Sequence, residues 1–310
     1  MSTATNHQAG NPSGGEKFTL KDLQTENPRW CVGCGDFGIL MGLKKFMVDA
    51  QLSASKTVNI SGIGCSGRVP NYINTYGVHS IHGRPITIAT GLALSRPDLN
   101  IFVSSGDGDA MSIGGNHLIH GINKNINCVF ILFDNELYAL TKNQTSPTTR
   151  KDHKTMTQPQ GTYLDPLNPV KLALGIGASF VASTADWIPD HLSNTLQSAF
   201  NHKGFSFVHV SQRCPHFDPT AFDHKSTAWF SFLKNPNGIP PDKRLEDKTE
   251  VIEHDPSNLE KAFVLAQSER RYFGLFYRNT NKPCYDEIMR GLIKNAEPKT
   301  RSKILDQFLL

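Results

Sequence analysis

The spacing of apolar positions changes period several times along the chain, and each change predicts an element. Residues 36 to 49, DFGILMGLKKFMVD, set Ile39, Leu40, Leu43, Phe46 and Met47 three or four apart. That is one face of a helix, with Asp36 as its cap. TVNISGIGCS starts as a short strand and runs into a glycine turn. RPITIATGLALSRPD predicts a helix opened by Pro85 and stopped by Pro97. NIFVSS and NINCVFILFD are unbroken apolar runs rich in β-branched and aromatic residues, as buried strands are. Between them, SIGGNHLIHGINKN reads as a helix weakened by its glycines. Further on, PVKLALGIG, ASFVAST, WIPDHLSNTLQSAFNH and FSFVHVS read as helix, strand, helix and strand. Strands alternating with helices predict an α/β fold with a doubly wound parallel sheet.

Two stretches stand outside this rhythm. Residues 141 to 168 are rich in Thr, Pro and Gln and predict a long loop, a length usually kept for function. Past about residue 240 the pattern loosens to a helix near 258 to 269 and the segment YFGLFYRNTNKPCYDEI. The expected organisation is a disordered lead over residues 1–17, a main domain over 18–235 and a C-terminal extension over 236–310.

Composition narrows the function classes. Apolar residues make up 38% of the 310, and 25 glycines bring the total near the ordinary globular value. The net charge of +4 comes from intermixed acids and bases, with no basic run interleaved with aromatics, so nucleic acid is not an expected partner. No apolar stretch approaches the roughly 20 residues that span a bilayer, and the polar N-terminus has no signal core. The expectation is no membrane association and a cytoplasmic setting. Six cysteines are too sparse for a disulfide scaffold. Close spacing among them reads better as metal ligation or thiol catalysis.

The candidate chemistry begins where both buried strands end. The first is followed by Gly106, Asp107, Gly108 and Asp109; the second ends in Asp134 and Asn135. Ligands of an open parallel sheet bind beyond the C-terminal strand ends. Glycines let backbone approach a ligand closely, and the next helix points its N-terminus at the same place, which favours an anion. Oxygen ligands beside such a helix fit a divalent cation carrying phosphate, and Mg²⁺ is commonly held that way. Ordinary turns after buried strands are the plainer alternative for GDG alone; the strand context favours the site, and GDG followed by 26 residues and then Asn resembles the thiamine-diphosphate motif.

Four cysteines form a second constellation. Cys31 and Cys34 lie in CVGCG, Cys65 in GIGCSGR and Cys214 in SQRCPHF. CVGCG follows no strand, against a thioredoxin-like motif. One close pair joined by two singles is unusual for zinc, and Cys before Pro is common in iron–sulfur sites. The cysteines alone leave zinc and iron–sulfur open. Cys128, inside a strand, and Cys284 read as inert thiols.

Taken together, WCVGCGDFGIL, GIGCSGRVPNYINTYGVHSIHGRP, SSGDGDAMSIGGNHLIHGINKNINCVFILFDNELYALTKNQTSPT and SQRCP resemble the β subunit of two-subunit 2-oxoacid:ferredoxin oxidoreductases, in order and in spacing. The resemblance implies the diphosphate-type lobe of a thiamine-diphosphate-binding fold. It implies Mg²⁺ held by Asp107, Asn135 and the Leu137 carbonyl, and a [4Fe–4S] cluster on Cys31, Cys34, Cys65 and Cys214. The family's cofactor contacts fall on Ile63, Gly64, Cys65, Ser66, His82, Gly106, Asp107, Gly108, Asp109, Asn135, Ala139 and Leu140. Ala139 and Asn143 stand where the family often has glycine. The implied reaction is coenzyme A-dependent oxidative decarboxylation of a 2-oxoacid, or its reversal, with electrons passing through the cluster to ferredoxin. A larger α subunit would supply the pyrimidine-side lobe and its glutamate, in a doubled αβ assembly.

Within that reading, Arg68 is expected beside the thiazolium, gripping a distal carboxylate with Leu140 as its apolar neighbour. That favours 2-oxoglutarate over pyruvate or a broad range of 2-oxoacids; a surface or subunit salt bridge is the plainer role for Arg68. His82 is expected as a catalytic contact to the diphosphate or reacting oxygen, with a structural histidine as the alternative. Lys142 and Arg150 read as surface charges rather than coenzyme A contacts. Readings from other classes are a non-redox thiamine lyase fragment and a simple iron–sulfur carrier.

Overall fold

A computed structural model describes residues 18–295; the lead expected over residues 1–17 lies outside them. In chain order the elements are α1 (Asp36–Asp49), β1 (Thr57–Ser61), β2 (Tyr76–His79), α2 (Pro85–Ser95), β3 (Asn100–Gly106), α3 (Gly115–Lys124) and β4 (Cys128–Asp134). A small ribbon follows, β5 (Leu137–Tyr138) against β6 (Gln144–Thr145), then α4 (Pro169–Ile176), β7 (Phe180–Ala185), α5 (Pro189–Asn201) and β8 (Phe205–Ser211). The C-terminal part adds β9 (Phe230–Lys234), β10 (Val251–Glu253), α6 (Leu259–Gln267), β11 (Arg271–Arg278) and α7 (Tyr285–Asn295).

Nine strands form one sheet in the order β10-β9-β11-β7-β8-β4-β3-β1-β2. The six strands from β7 to β2 are parallel. β11 pairs antiparallel with β7 and parallel with β9, so one edge departs from the all-parallel sheet expected. The segment expected as an extension therefore supplies strands to the main sheet, and the expected boundary after residue 235 falls between two paired strands, β9 and β10.

The unbroken apolar runs are explained by burial on both faces. Along β4, Cys128, Phe130 and Leu132 enter one core with Ile86, Leu118 and Ile122, while Val129, Ile131 and Phe133 enter the other with Leu40, Phe46 and Leu192. Side chains alternate between faces along a strand, so both sets must be apolar. Helices α2, α3, α4 and α6 cover one face, and α1 and α5 the other. Asn168 and Asn258 cap α4 and α6 by accepting from Lys171 N and Lys261 N, both at 2.9 Å.

Two local expectations need correction. Asp36 is the first residue of α1, not its cap. Gly35 takes that position, and the fully buried Asp36 carboxyl finds no hydrogen-bond partner among the described residues. Burial pushes it up to about 7. The expected helix after Gly108 starts late. Residues 109–113 form a wide turn closed by Gly114 N donating to Asp109 O at 3.0 Å, and regular helix begins at Gly115. Such wide turns are frequent at functional sites.

Candidate cofactor site

The tips of β1, β3, β4 and β8 are sheet neighbours, which brings together segments far apart in sequence. Between them lies a cleft of about 90 Å³ lined by residues 63–66, His82, residues 106–109, Phe133, Asn135, residues 137–141 and Gln212. Each residue expected to contact the cofactor or Mg²⁺ lines this cleft, with Leu140 among them. Glycine is required at two walls. A Cβ on Gly62 would lie 1.8 Å from Asp109 Oδ2, and one on Gly108 would lie 2.3 Å from the Tyr138 ring.

Asp109 acts inside the protein. Its Oδ1 accepts from Ile63 N (3.0 Å), Gly83 N (2.7 Å) and His82 Nδ1 (2.5 Å), and its Oδ2 accepts from Ser105. A carboxylate this fully engaged ties three loops together. It also fixes His82: Nδ1 carries the proton toward Asp109, so in the neutral ring Nε2 is the acceptor nitrogen.

Asp107 is different. It is 2% exposed and faces Asp134, 1% exposed, and Thr148 Oγ1 lies 2.8 Å from both carboxylates. One hydroxyl has one proton and satisfies one of them at a time. Burial first, then the charge of Asp134, pushes Asp107 up to about 8. Burial also opposes ionisation of Asp134, but His209 at 2.9 Å and the charge of Arg271 outweigh it and hold that carboxyl below its usual range. Asp134 is held on both oxygens, by Glu136 N at 3.2 Å, Thr148 and His209, and lies outside the cleft lining; Asp107, at the cleft wall, is the buried acid placed to meet a divalent cation. Asn135 contributes through a tight turn, its Oδ1 accepting from Leu137 N at 3.0 Å, which puts the amide and the Leu137 carbonyl in one loop.

The segments that carry the four cysteines meet beside the cleft. Trp30 Nε1 donates to Cys65 O at 2.9 Å, Gly35 N to Arg213 O at 2.9 Å, and Cys34 N to Cys31 O at 3.1 Å. These bonds clamp the C-x-x-C turn onto the tips of β1 and β8. All four thiols are free. Burial pushes Cys65 up to about 12, and the neighbouring Cys214 and Cys31 add to it; Cys34 and Cys214 are raised for the same first reason. Among the described residues, no three His, Cys, Asp or Glu side chains converge on one point as a single ion demands. A cube of four irons asks something else, one iron for each thiolate, and the backbone bonds above bring the Cys31–Cys34 turn to the strand tips that carry Cys65 and Cys214, as such a group would need. Cys65 belongs to both constellations: it lines the cleft and it is one of the four thiols.

Arg68 does not join the cleft. Its Nη1 donates to Arg29 O at 3.0 Å and its guanidinium lies over the Tyr72 ring, 5.8 Å from the centroid. Arg68 is thus outside the cleft lining, turned toward the segment before Cys31. Arg150, read as a surface charge, is half-buried between Glu136 (2.9 Å) and Asp218. Cys128 and Cys284 are buried, as inert thiols are. Sequence reasoning assigned no role to Gln212, Thr148 or Asp134. Gln212 sits two residues before Cys214 and Thr148 in the long loop, signals of place but not of partner.

Comparison with known proteins agrees with this geometry. Residues 62–210 match the thiamine pyrophosphate enzyme C-terminal TPP-binding domain, and residues 243–294 match the C-terminal region of the pyruvate ferredoxin oxidoreductase β subunit. The chain is 38% identical to the 2-oxoglutarate oxidoreductase subunit KorB of Mycobacterium tuberculosis, covering 94% of this chain and 86% of that one. It is 37% identical to a Sulfolobus 2-oxoacid:ferredoxin oxidoreductase subunit β, covering 84% and 85%. Among solved structures, the 2-oxoglutarate:ferredoxin oxidoreductase from Magnetococcus marinus, with 2-oxoglutarate, coenzyme A and succinyl-CoA bound, superposes with a TM-score of 0.82 at 34% identity over 94% of this chain and 96% of that one. The chain belongs to the β subunits of the 2-oxoacid:ferredoxin oxidoreductases.

Proposed function

We propose that this chain is the β subunit of a 2-oxoglutarate:ferredoxin oxidoreductase. Its thiamine diphosphate would be anchored through Mg²⁺ on Asp107, Asn135 and the Leu137 carbonyl, and a [4Fe–4S] cluster would be held by Cys31, Cys34, Cys65 and Cys214. The observation that carries the reading is the double membership of Cys65 in the cleft lining and in the thiol set. Thiamine diphosphate supplies the carbanion and electron sink for decarboxylation of a 2-oxoacid. The chain's own residues supply position and charge. Asp107, next to Asp134, provides the negative site that a cation neutralises. Asp109 fixes the His82 ring so that Nε2 is the nitrogen offered to a ligand. Cys65, at the wall of the cleft, would hold the electron acceptor beside the cofactor.

The choice of 2-oxoglutarate rests on the named substrates of the relatives from M. tuberculosis and M. marinus. Arg68, turned toward the Cys31 loop, does not argue for it. A pyruvate-using or broad 2-oxoacid enzyme is the alternative, favoured by the match of residues 243–294. Coenzyme A would accept the acyl group and ferredoxin the electrons, in the cytoplasm. Among the described residues no helix is long and apolar enough to cross a membrane. Exposed apolar Ile63 and Leu140 on the cleft lining support an α subunit that closes over it. The test is anaerobic co-expression with the α subunit, followed by coenzyme A-dependent ferredoxin reduction with 2-oxoglutarate and pyruvate. Preference for 2-oxoglutarate supports the reading; an iron-free, 2-oxoacid-inert complex refutes it.

A further inference from the structure

Gln212 stands at the tip of β8, between the cleft and the thiol set. It is 1% exposed, its backbone N donates to Asp134 O at 2.9 Å, and its side chain lines the cleft. Nε2 lies 2.5 Å from Arg213 O and 3.6 Å from Cys34 Sγ. The Arg213 carbonyl fixes which end of the amide is which. An oxygen in that place would face another oxygen with no proton between them, so the NH₂ group must be there. Its two hydrogens then match the two acceptors, one carbonyl and one sulfur. Oε1 is buried, with no hydrogen-bond partner among the described residues.

We propose that Gln212 is a positioning residue that tunes the reduction potential of the cluster through an N–H···S bond to Cys34. The inference rests on the cluster reading above. A ligating sulfur carries part of the cluster's charge, and a reduced cluster carries one electron more. A donor aimed at that sulfur therefore stabilises the reduced form more than the oxidised form and raises the potential. Gln212 would set how readily the cluster accepts electrons from the cofactor side and how strongly it drives ferredoxin. Losing the donor makes the cluster a weaker acceptor and a stronger reductant, which tilts the enzyme toward carboxylation.

The test is a redox titration of the anaerobically purified αβ complex, followed by electron paramagnetic resonance of the cluster that this chain holds. Gln212→Met keeps the length of the side chain and removes the N–H; Gln212→Glu replaces the donor with a carboxylate. Both variants should move the midpoint to more negative potential, by roughly three- to tenfold in the reduction equilibrium for a net hydrogen bond of ordinary strength. Tenfold corresponds to about 59 mV for one electron. An unchanged midpoint in a variant that retains its cluster overturns the proposal. Loss of the cluster from both variants at unchanged melting temperature also overturns it, since Gln212 would then retain the cluster rather than tune it. A wild-type complex with neither iron nor a reduced-state signal would refute the cluster reading itself, a result distinct from either.

Discussion

Thr148 Oγ1 lies 2.8 Å from the Asp107 carboxylate, although 41 residues separate the two in sequence. The same oxygen lies 2.8 Å from Asp134, and Thr149 Oγ1 donates to Glu136 O at 2.6 Å. The long loop is thus pinned to the strand tips from which the cation would be held. Groups that orient a metal ligand typically account for 10- to 100-fold in metal affinity. Thr148→Val keeps the shape and removes the hydroxyl. It is expected to weaken Mg²⁺-dependent thiamine diphosphate binding about tenfold, read by calorimetry on the αβ complex. Affinity within twofold of wild type would show that Thr148 does nothing for the metal ligand.

The cysteines should separate into two patterns. Serine at Cys31, Cys34, Cys65 or Cys214 is expected to remove the visible iron–sulfur absorbance and most of the iron, about four per chain in wild type. Cys65→Ser should also lower thiamine diphosphate affinity, because Cys65 lines the cleft. Cys31→Ser should not, because Cys31 is exposed and lies outside that lining. Cys128→Ser and Cys284→Ser should keep full iron content. Iron loss from Cys128→Ser equal to that from Cys65→Ser would defeat the assignment of ligands.

Arg68 offers a test of substrate choice. Its guanidinium lies on Arg29 O and the Tyr72 ring, outside the cleft lining. Arg68→Ala is expected to leave the ratio of kcat/KM for 2-oxoglutarate to that for pyruvate within about twofold, since no substrate contact is lost. A selective loss of 2-oxoglutarate turnover of tenfold or more would mean that Arg68 swings into the cleft when the complex assembles.

Most of the central sheet was legible because β1, β3, β4, β7 and β8 are buried on both faces: β4 reads as a continuous apolar run, and the others set β-branched and aromatic residues among small polar ones. β2, YGVH, was not legible: it is short and mostly exposed, with no apolar signature. β11 was missed because it enters the sheet against the direction of β7, with Gly274 at φ +133° and a register shift between Leu275 and Tyr277. The cleft lining was legible from GDG, FDN and GIGC because local backbone forms it. The partners of Asp134 were not. His209 is 75 residues away and is brought alongside only by the pairing of β4 with β8. Strand order, which a single sequence does not spell out, decides such contacts.

Acid sensitivity should come from two buried histidines far from the thiols in sequence. Burial, the first cause in each case, holds His191 down to about 3 and His202 down to about 4; the charge of Arg278 adds to the effect on His202, while Asp242 works the other way on His191. His191 is 0% exposed, with Nδ1 at 2.8 Å from Thr184 Oγ1 and its ring beside Phe232. The unfolded chain binds these protons near pH 6.5 and the native chain only near pH 3 to 4. Between those values the unfolded state holds more protons, so stability rises with pH and is lost as pH falls through 6.5. Each histidine contributes a slope of up to about 1.4 kcal/mol per pH unit inside that window. His191→Gln cannot take up the proton. It should show a smaller fall in denaturant midpoint between pH 7 and pH 5 than wild type, even if its stability at pH 7 is lower. Acid loss of any cluster is common to both chains and cancels in the difference. Parallel profiles for the two chains would mean that His191 is already protonated in the folded protein or exposed to solvent.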